Sequence, residues 1–99
     1  MATLEKDVEQ NLIRMVRHQG GLCLKWVCPG WLGVPDRLCL LPGGHIYFVE
    51  TKRPQRGTRS AMQKKWAEWL TGLGFTHRWV HNLEDVAALE RLIVEEAVR

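Results

Sequence analysis

The stretch from Gly33 to Lys52 constrains this chain more than any other. Two apolar runs flank Pro42-Gly43-Gly44-His45, a strong turn signal between strands. An antiparallel hairpin is predicted. Its first strand runs from Asp36 to Leu41, and its second ends Glu50-Thr51-Lys52. Side-chain alternation puts Ile46, Phe48, Glu50 and Lys52 on one face, and Tyr47, Val49 and Thr51 on the other. In a hairpin the start of one strand lies beside the end of the other, so Asp36 is expected to meet Glu50 and Lys52. Two carboxylates and an ammonium at one spot can hold a divalent cation and manage a water or a phosphate.

The rest of the chain supplies elements to carry this hairpin. Leu4 to His18 has helical periodicity, with Leu4, Val8, Leu12 and Met15 as the apolar stripe and Val16 and Ile13 at its edge. Gly20-Gly21 ends that helix. Leu22 to Val27 reads as a strand and Cys28 to Val34 as a loop. A second helix is predicted from about Ser60 to Thr71, burying Met62, Trp66, Trp69, Leu70 and Leu73. Phe75 to His81 reads as a strand. Asn82 caps a third helix that runs to about Glu96, with Asp85 completing a capping box. The expected fold is α/β, in the order αβββαβα, as one domain over residues 1–99.

The 99 residues are 45% apolar, which suits a globular chain with a modest core. No apolar run is long enough to span a bilayer, and Met1 to Gln10 is too charged for a signal peptide. The expected location is intracellular, with no membrane partner. The net charge is only +3, but Lys52, Arg53, Arg56, Arg59, Lys64 and Lys65 occur with no acidic residue among them. Such a run is either a solvated loop and helix face, as charge runs usually are, or, beside a carboxylate pair, a phosphate-contacting surface, the favoured reading.

Some residues admit two readings. At about 100° per residue, Glu9 falls between Val16 and Ile13 in the apolar arc of the first helix, and Glu5 also lies in or beside that arc. A carboxylate there is costly unless it is paired or metal-bound. It reaches water, pairs with Lys6 or Lys25, or binds a metal. Ser60-Ala61-Met62-Gln63 fits a capping box in which Gln63 bonds its own backbone. Alternatively Thr58 is the cap and Gln63 faces the hairpin. Trp26, Trp66, Trp69 and Trp79 sit at core spacings, whereas Trp31 lies in the loop before Asp36. Trp31 either anchors that loop or stacks on a nucleobase. Cys23, Cys28 and Cys39 lack CxxC spacing and read as buried free thiols rather than a zinc site.

Taken in order, Glu9, Gly20-Gly21, Gly33-Val34-Pro35-Asp36, Glu50-Thr51-Lys52 and Gln63 resemble the VRR-NUC (virus-type replication-repair nuclease) family of the PD-(D/E)XK superfamily. The resemblance covers nearly the whole chain. It implies a restriction-endonuclease-like core, a mixed sheet flanked by helices. It implies cleavage of DNA phosphodiesters with Mg2+ or Mn2+ and no organic cofactor, leaving 5′-phosphate and 3′-hydroxyl ends. Small stand-alone members, from phages and bacteria, imply a homodimer acting on branched DNA such as a four-way (Holliday) junction.

The resemblance makes Asp36 and Glu50 metal ligands, with the Thr51 carbonyl assisting, and Lys52 catalytic. It makes Glu9 the helix acid, preferred over Glu5 by its distance from Gly20, and it places Gln63 in the site. Arg53, Arg56, Arg59 and Lys64, with Trp31, are the expected DNA contacts. Thr51 replaces a more usual apolar residue, and alternation turns its side chain away from the metal. The rival readings are an enzyme that nicks duplex or flap DNA and a non-catalytic branched-DNA-binding module.

Overall fold

The computed structural model describes residues 5–51 and 60–98. The elements are α1 (Glu5–His18), β1 (Leu22–Lys25), β2 (Arg37–Leu41), β3 (His45–Thr51), α2 (Ala61–Gly72), β4 (Thr76–Val80) and α3 (Leu83–Ala97). This is the order expected from the sequence. The strands form one sheet, in the order β1-β2-β3-β4. β1, β2 and β3 are antiparallel neighbours, and β4 returns parallel to β3 after α2. A parallel return needs a crossover of this length, which is why a helix sits between β3 and β4 but only a tight turn joins β2 to β3. That turn uses Gly43 and Gly44 at φ of 87° and 78°, a region closed to most side chains.

The helices lie on both faces. Val8, Leu12, Met15 and Val16 of α1 bury against Cys39, Leu41, Tyr47 and Val49 of the hairpin and Val86, Leu89 and Ile93 of α3. The stripe read from the sequence is thus the stripe that is buried, within the described part of α1. Phe48 points to the opposite face, where its ring meets Trp26 and Phe75. α2 packs on β4. No helix among the described residues is long and apolar enough to cross a membrane.

Two expectations about packing are corrected. Trp69 and Leu73, read as buried, are exposed, and Leu70 alone of the α2 set is fully buried. The Trp66 ring meets edge-on Trp69 of the same helix at 5.3 Å and, from the segment between β1 and β2, Trp26 at 5.8 Å and Trp31 at 5.7 Å. At α3, Asn82 accepts the Asp85 N–H at 2.8 Å as expected. The Asp85 carboxylate, however, accepts from His81 N–H at 2.8 Å, one residue earlier than a capping box requires.

Candidate active site

The site begins where the β2–β3 ladder stops. Arg37 pairs with Val49, so continuing the register sets Asp36 opposite Glu50 and Pro35 opposite Thr51. Proline has no N–H to continue a ladder. The Thr51 N–H instead donates to Asp36 Oδ2 at 3.0 Å, and the Thr51 hydroxyl donates to the same oxygen at 2.9 Å. Glu9 arrives from α1: its Oε2 lies 3.5 Å from Thr51 Oγ1, and its Oε1 accepts from Arg37 Nη2 at 3.0 Å. The Thr51 hydroxyl has a single proton, which goes to Asp36, so Glu9 lies beside this group without being bonded to it and is held by Arg37.

Alternation set Asp36 beside Glu50 and Lys52 and turned Thr51 to the other face; the structure instead bonds Asp36 to Thr51. Asp36 precedes β2, so the pleat does not fix its side chain, which swings to the Thr51 side. Glu50 follows strand alternation to the other face, where it is 1% exposed. Among the described residues no three His, Cys, Asp or Glu side chains are grouped closely enough to hold a metal ion. Glu9 and Asp36 converge on Thr51, with Glu50 next along the strand, rather than all three facing one point. The donors are nonetheless all oxygens, two of them carboxylates gathered about the Thr51 side chain, and that chemistry fits a hard cation such as Mg2+ or Mn2+.

The loop ahead of Asp36 is held by α2. Gly33 has a φ of +78°, and a Cβ there would come within 2.6 Å of the Met62 Cβ. Trp66 Nε1 donates to the Leu32 carbonyl at 2.9 Å. Trp31 leans its ring edge on Trp66 while remaining 56% exposed. A cavity of about 260 Å³ opens beside the acids, lined by Glu9, Lys25, Trp26, Val34, Asp36 and Arg37. The sequence offered Lys6 or Lys25 as the partner of Glu9; the structure pairs Glu9 with Arg37, which sequence reasoning missed, and sets Lys25 in the cavity lining beside them. The available signal was a charged residue at the inward-facing start of β2, in phase with Cys39 and Leu41.

No family model matches the chain. A solved structure described as a VRR_NUC domain superposes with a TM-score of 0.82 at 31% identity, covering 89% of this chain and 95% of that one. The chain belongs to the VRR-NUC family. A protein of Acyrthosiphon pisum secondary endosymbiont phage 1, described as "Putative nuclease p44", is 52% identical over 50 residues. That match covers 50% of this chain and 54% of the phage protein, so the chain spans about half the length of the curated relative it matches.

Other residues singled out in the sequence fall as follows in this VRR-NUC chain. Gln63 forms the capping box that its spacing allows: Ser60 N–H donates to Gln63 Oε1 at 2.9 Å, and Gln63 N–H donates to Ser60 Oγ at 3.1 Å. The resemblance placed this side chain in the site; here it is on its own helix cap. Lys64 is exposed on α2. Lys52, Arg53, Arg56 and Arg59 lie outside the described residues, as does the side chain of Glu5. Cys23 and Cys39 face each other across β1 and β2 with their sulfurs 3.7 Å apart, a pairing the sequence spacing did not reveal. All three cysteines are free thiols as read, but only Cys39 is buried; Cys23 and Cys28 are half-buried.

Proposed function

We propose that this VRR-NUC chain is a divalent-metal-dependent endonuclease that hydrolyses DNA phosphodiester bonds, acting on branched DNA as a homodimer. The observation that carries the reading is the convergence of Asp36 and Glu9 on Thr51 at the end of the hairpin, beside a cavity edged with cations. Asp36 and Glu9, with the Thr51 carbonyl, would hold Mg2+ or Mn2+, and Glu50 would join them only on turning its carboxylate from the opposite face toward Asp36. When bound, the ion would supply a Lewis acid that makes water more acidic and offsets negative charge building on the phosphate oxygens.

The chain's own residues do the rest. The Thr51 N–H and hydroxyl fix one oxygen of Asp36, leaving the other to a ligand. Arg37 balances Glu9 while the site is empty of substrate. Lys52, next after Thr51 in sequence, orients the attacking water or steadies the phosphate. Carboxylates near a lysine favour its charged form, so an electrostatic role suits it better than that of a base. Arg53, Arg56, Arg59 and Lys64 track the phosphate backbone, and Trp31 offers a stacking face. Two such sites, fixed apart in a symmetric dimer, would cut a four-way junction in paired positions.

The test is a gel assay. Labelled four-way junction, flap and linear duplex are incubated with the protein and Mg2+ or Mn2+, comparing wild type with Asp36→Ala. Paired symmetric cuts by wild type alone support the reading. Single nicks on flap or duplex replace junction resolution with nicking. Binding without any incision assigns a non-catalytic module.

A further inference from the structure

We propose that Lys25 and Arg37 form a second phosphate-binding position, on the β1–β2 side of the acidic site; this rests on the nuclease reading above. Lys25 is the register partner of Arg37, and paired residues share a face. That face is the one to which α1 brings Glu9. Both cations line the cavity that also touches Asp36 and Glu9, so an anion held there lies against the acids. At about 260 Å³ the space exceeds the roughly 30 Å³ share of a single water several-fold, enough for a phosphodiester group.

The two cations differ in what they do at rest. Arg37 spends Nη2 on Glu9, but a guanidinium carries five N–H donors in a planar fork suited to phosphate. Lys25 is exposed, and among the described residues no carboxylate lies within salt-bridge reach of it. A structural role for Arg37 is satisfied by Glu9 alone and does not explain Lys25. Val34 and Trp26 complete the lining of the cavity. The basic run from Lys52 to Lys65 follows β3 in the chain, whereas Lys25 and Arg37 come from β1 and β2. A strand entering the site would therefore meet positive charge from β1 and β2.

The experiment measures fluorescence anisotropy of labelled duplex and junction DNA without metal, so that nothing is cut. Wild type is compared with Lys25→Ala, Lys25→Glu and Arg37→Lys. Arg91→Ala, which removes one exposed charge from α3, is the control. Losing one phosphate contact lowers the salt slope by about 0.9, so the deficit of Lys25→Ala should shrink about 3.5-fold between 50 and 200 mM salt. Lys25→Glu should bind more weakly still. Arg37→Lys keeps charge but loses the fork, and should weaken binding with little change in slope. Arg91→Ala should leave slope and affinity near wild type. If wild type cuts DNA and Lys25→Ala binds like Arg91→Ala, this position is overturned while the nuclease reading stands. If wild type neither binds nor cuts DNA, the nuclease reading fails and takes this position with it.

Discussion

Thr51→Val removes one hydroxyl from a side chain that is 2% exposed and otherwise keeps its shape. The lost bond is the 2.9 Å donation to Asp36 Oδ2, and the 3.5 Å approach to Glu9 goes with it. A hydrogen bond to an ionised group contributes about 1.5–3 kcal/mol. Asp36 keeps its bond from the Thr51 N–H, so it is not stranded, and the lower end applies. A loss of about 1.5 kcal/mol in a domain of this size lowers Tm by about 6–12 °C. With the hydroxyl gone, Asp36 loses one of the two donors that orient it. We expect the metal concentration needed for half-maximal cleavage to rise about tenfold, the equivalent of 1.4 kcal/mol. Thr51→Ser keeps the hydroxyl and should retain most of the metal response. Thermal denaturation and cleavage titrated against Mg2+ measure the two effects. A valine variant with wild-type Tm and metal dependence, or a serine variant as impaired as valine, would refute the reasoning.

Three further outcomes test separate parts of the structure. Glu9→Gln should cost about 1 kcal/mol in denaturant melts, because it leaves Arg37 without its part-buried counter-charge, and should sharply reduce cleavage; normal cleavage would remove Glu9 from the site. Tyr47→Phe loses the hydroxyl bond to Glu96 and should cost about 1 kcal/mol at pH 7 with cleavage unchanged, since Tyr47 lies about 13 Å up the strand from Thr51. Burial, then the Glu96 bond, push the Tyr47 phenol above its ordinary range. Its contribution is therefore present below about pH 10 and lost as pH rises, so wild type should lose its advantage over Tyr47→Phe in alkaline melts. Cys39 donates to Cys23, which lowers the Cys23 thiol and, with burial, raises Cys39. Iodoacetamide at neutral pH should label Cys23 well before Cys39, as peptide mass mapping would show.

Local chemistry made much of this fold legible. Pro42-Gly43-Gly44 marks the hairpin because few other residues take those dihedrals. The α1 stripe and the Asn82 cap follow from helical period and orphan N–H groups. Asp36 was placed correctly beside the end of β3, since antiparallel geometry demands it. Its rotamer was not legible: Asp36 stands one residue outside the strand, where alternation no longer rules. Thr51 was misread for that reason. The Glu9–Arg37 pair and the Cys23–Cys39 contact depend on how α1 docks and on the β1–β2 register, which no short window encodes. Trp69 and Leu73 look like core by period, but period cannot say how far a helix extends across a sheet. For Gln63 the spacing gave the cap that forms, and the family likeness drew the reading toward the site.

Metal binding by Asp36 is the claim on which the account turns, and calorimetric titration of Mn2+ into the full chain tests it without any DNA. Wild type should show saturable binding that Asp36→Asn weakens at least tenfold while the far-UV spectrum stays native. Absence of binding by wild type, or equal binding by a folded Asp36→Asn variant, would contradict it.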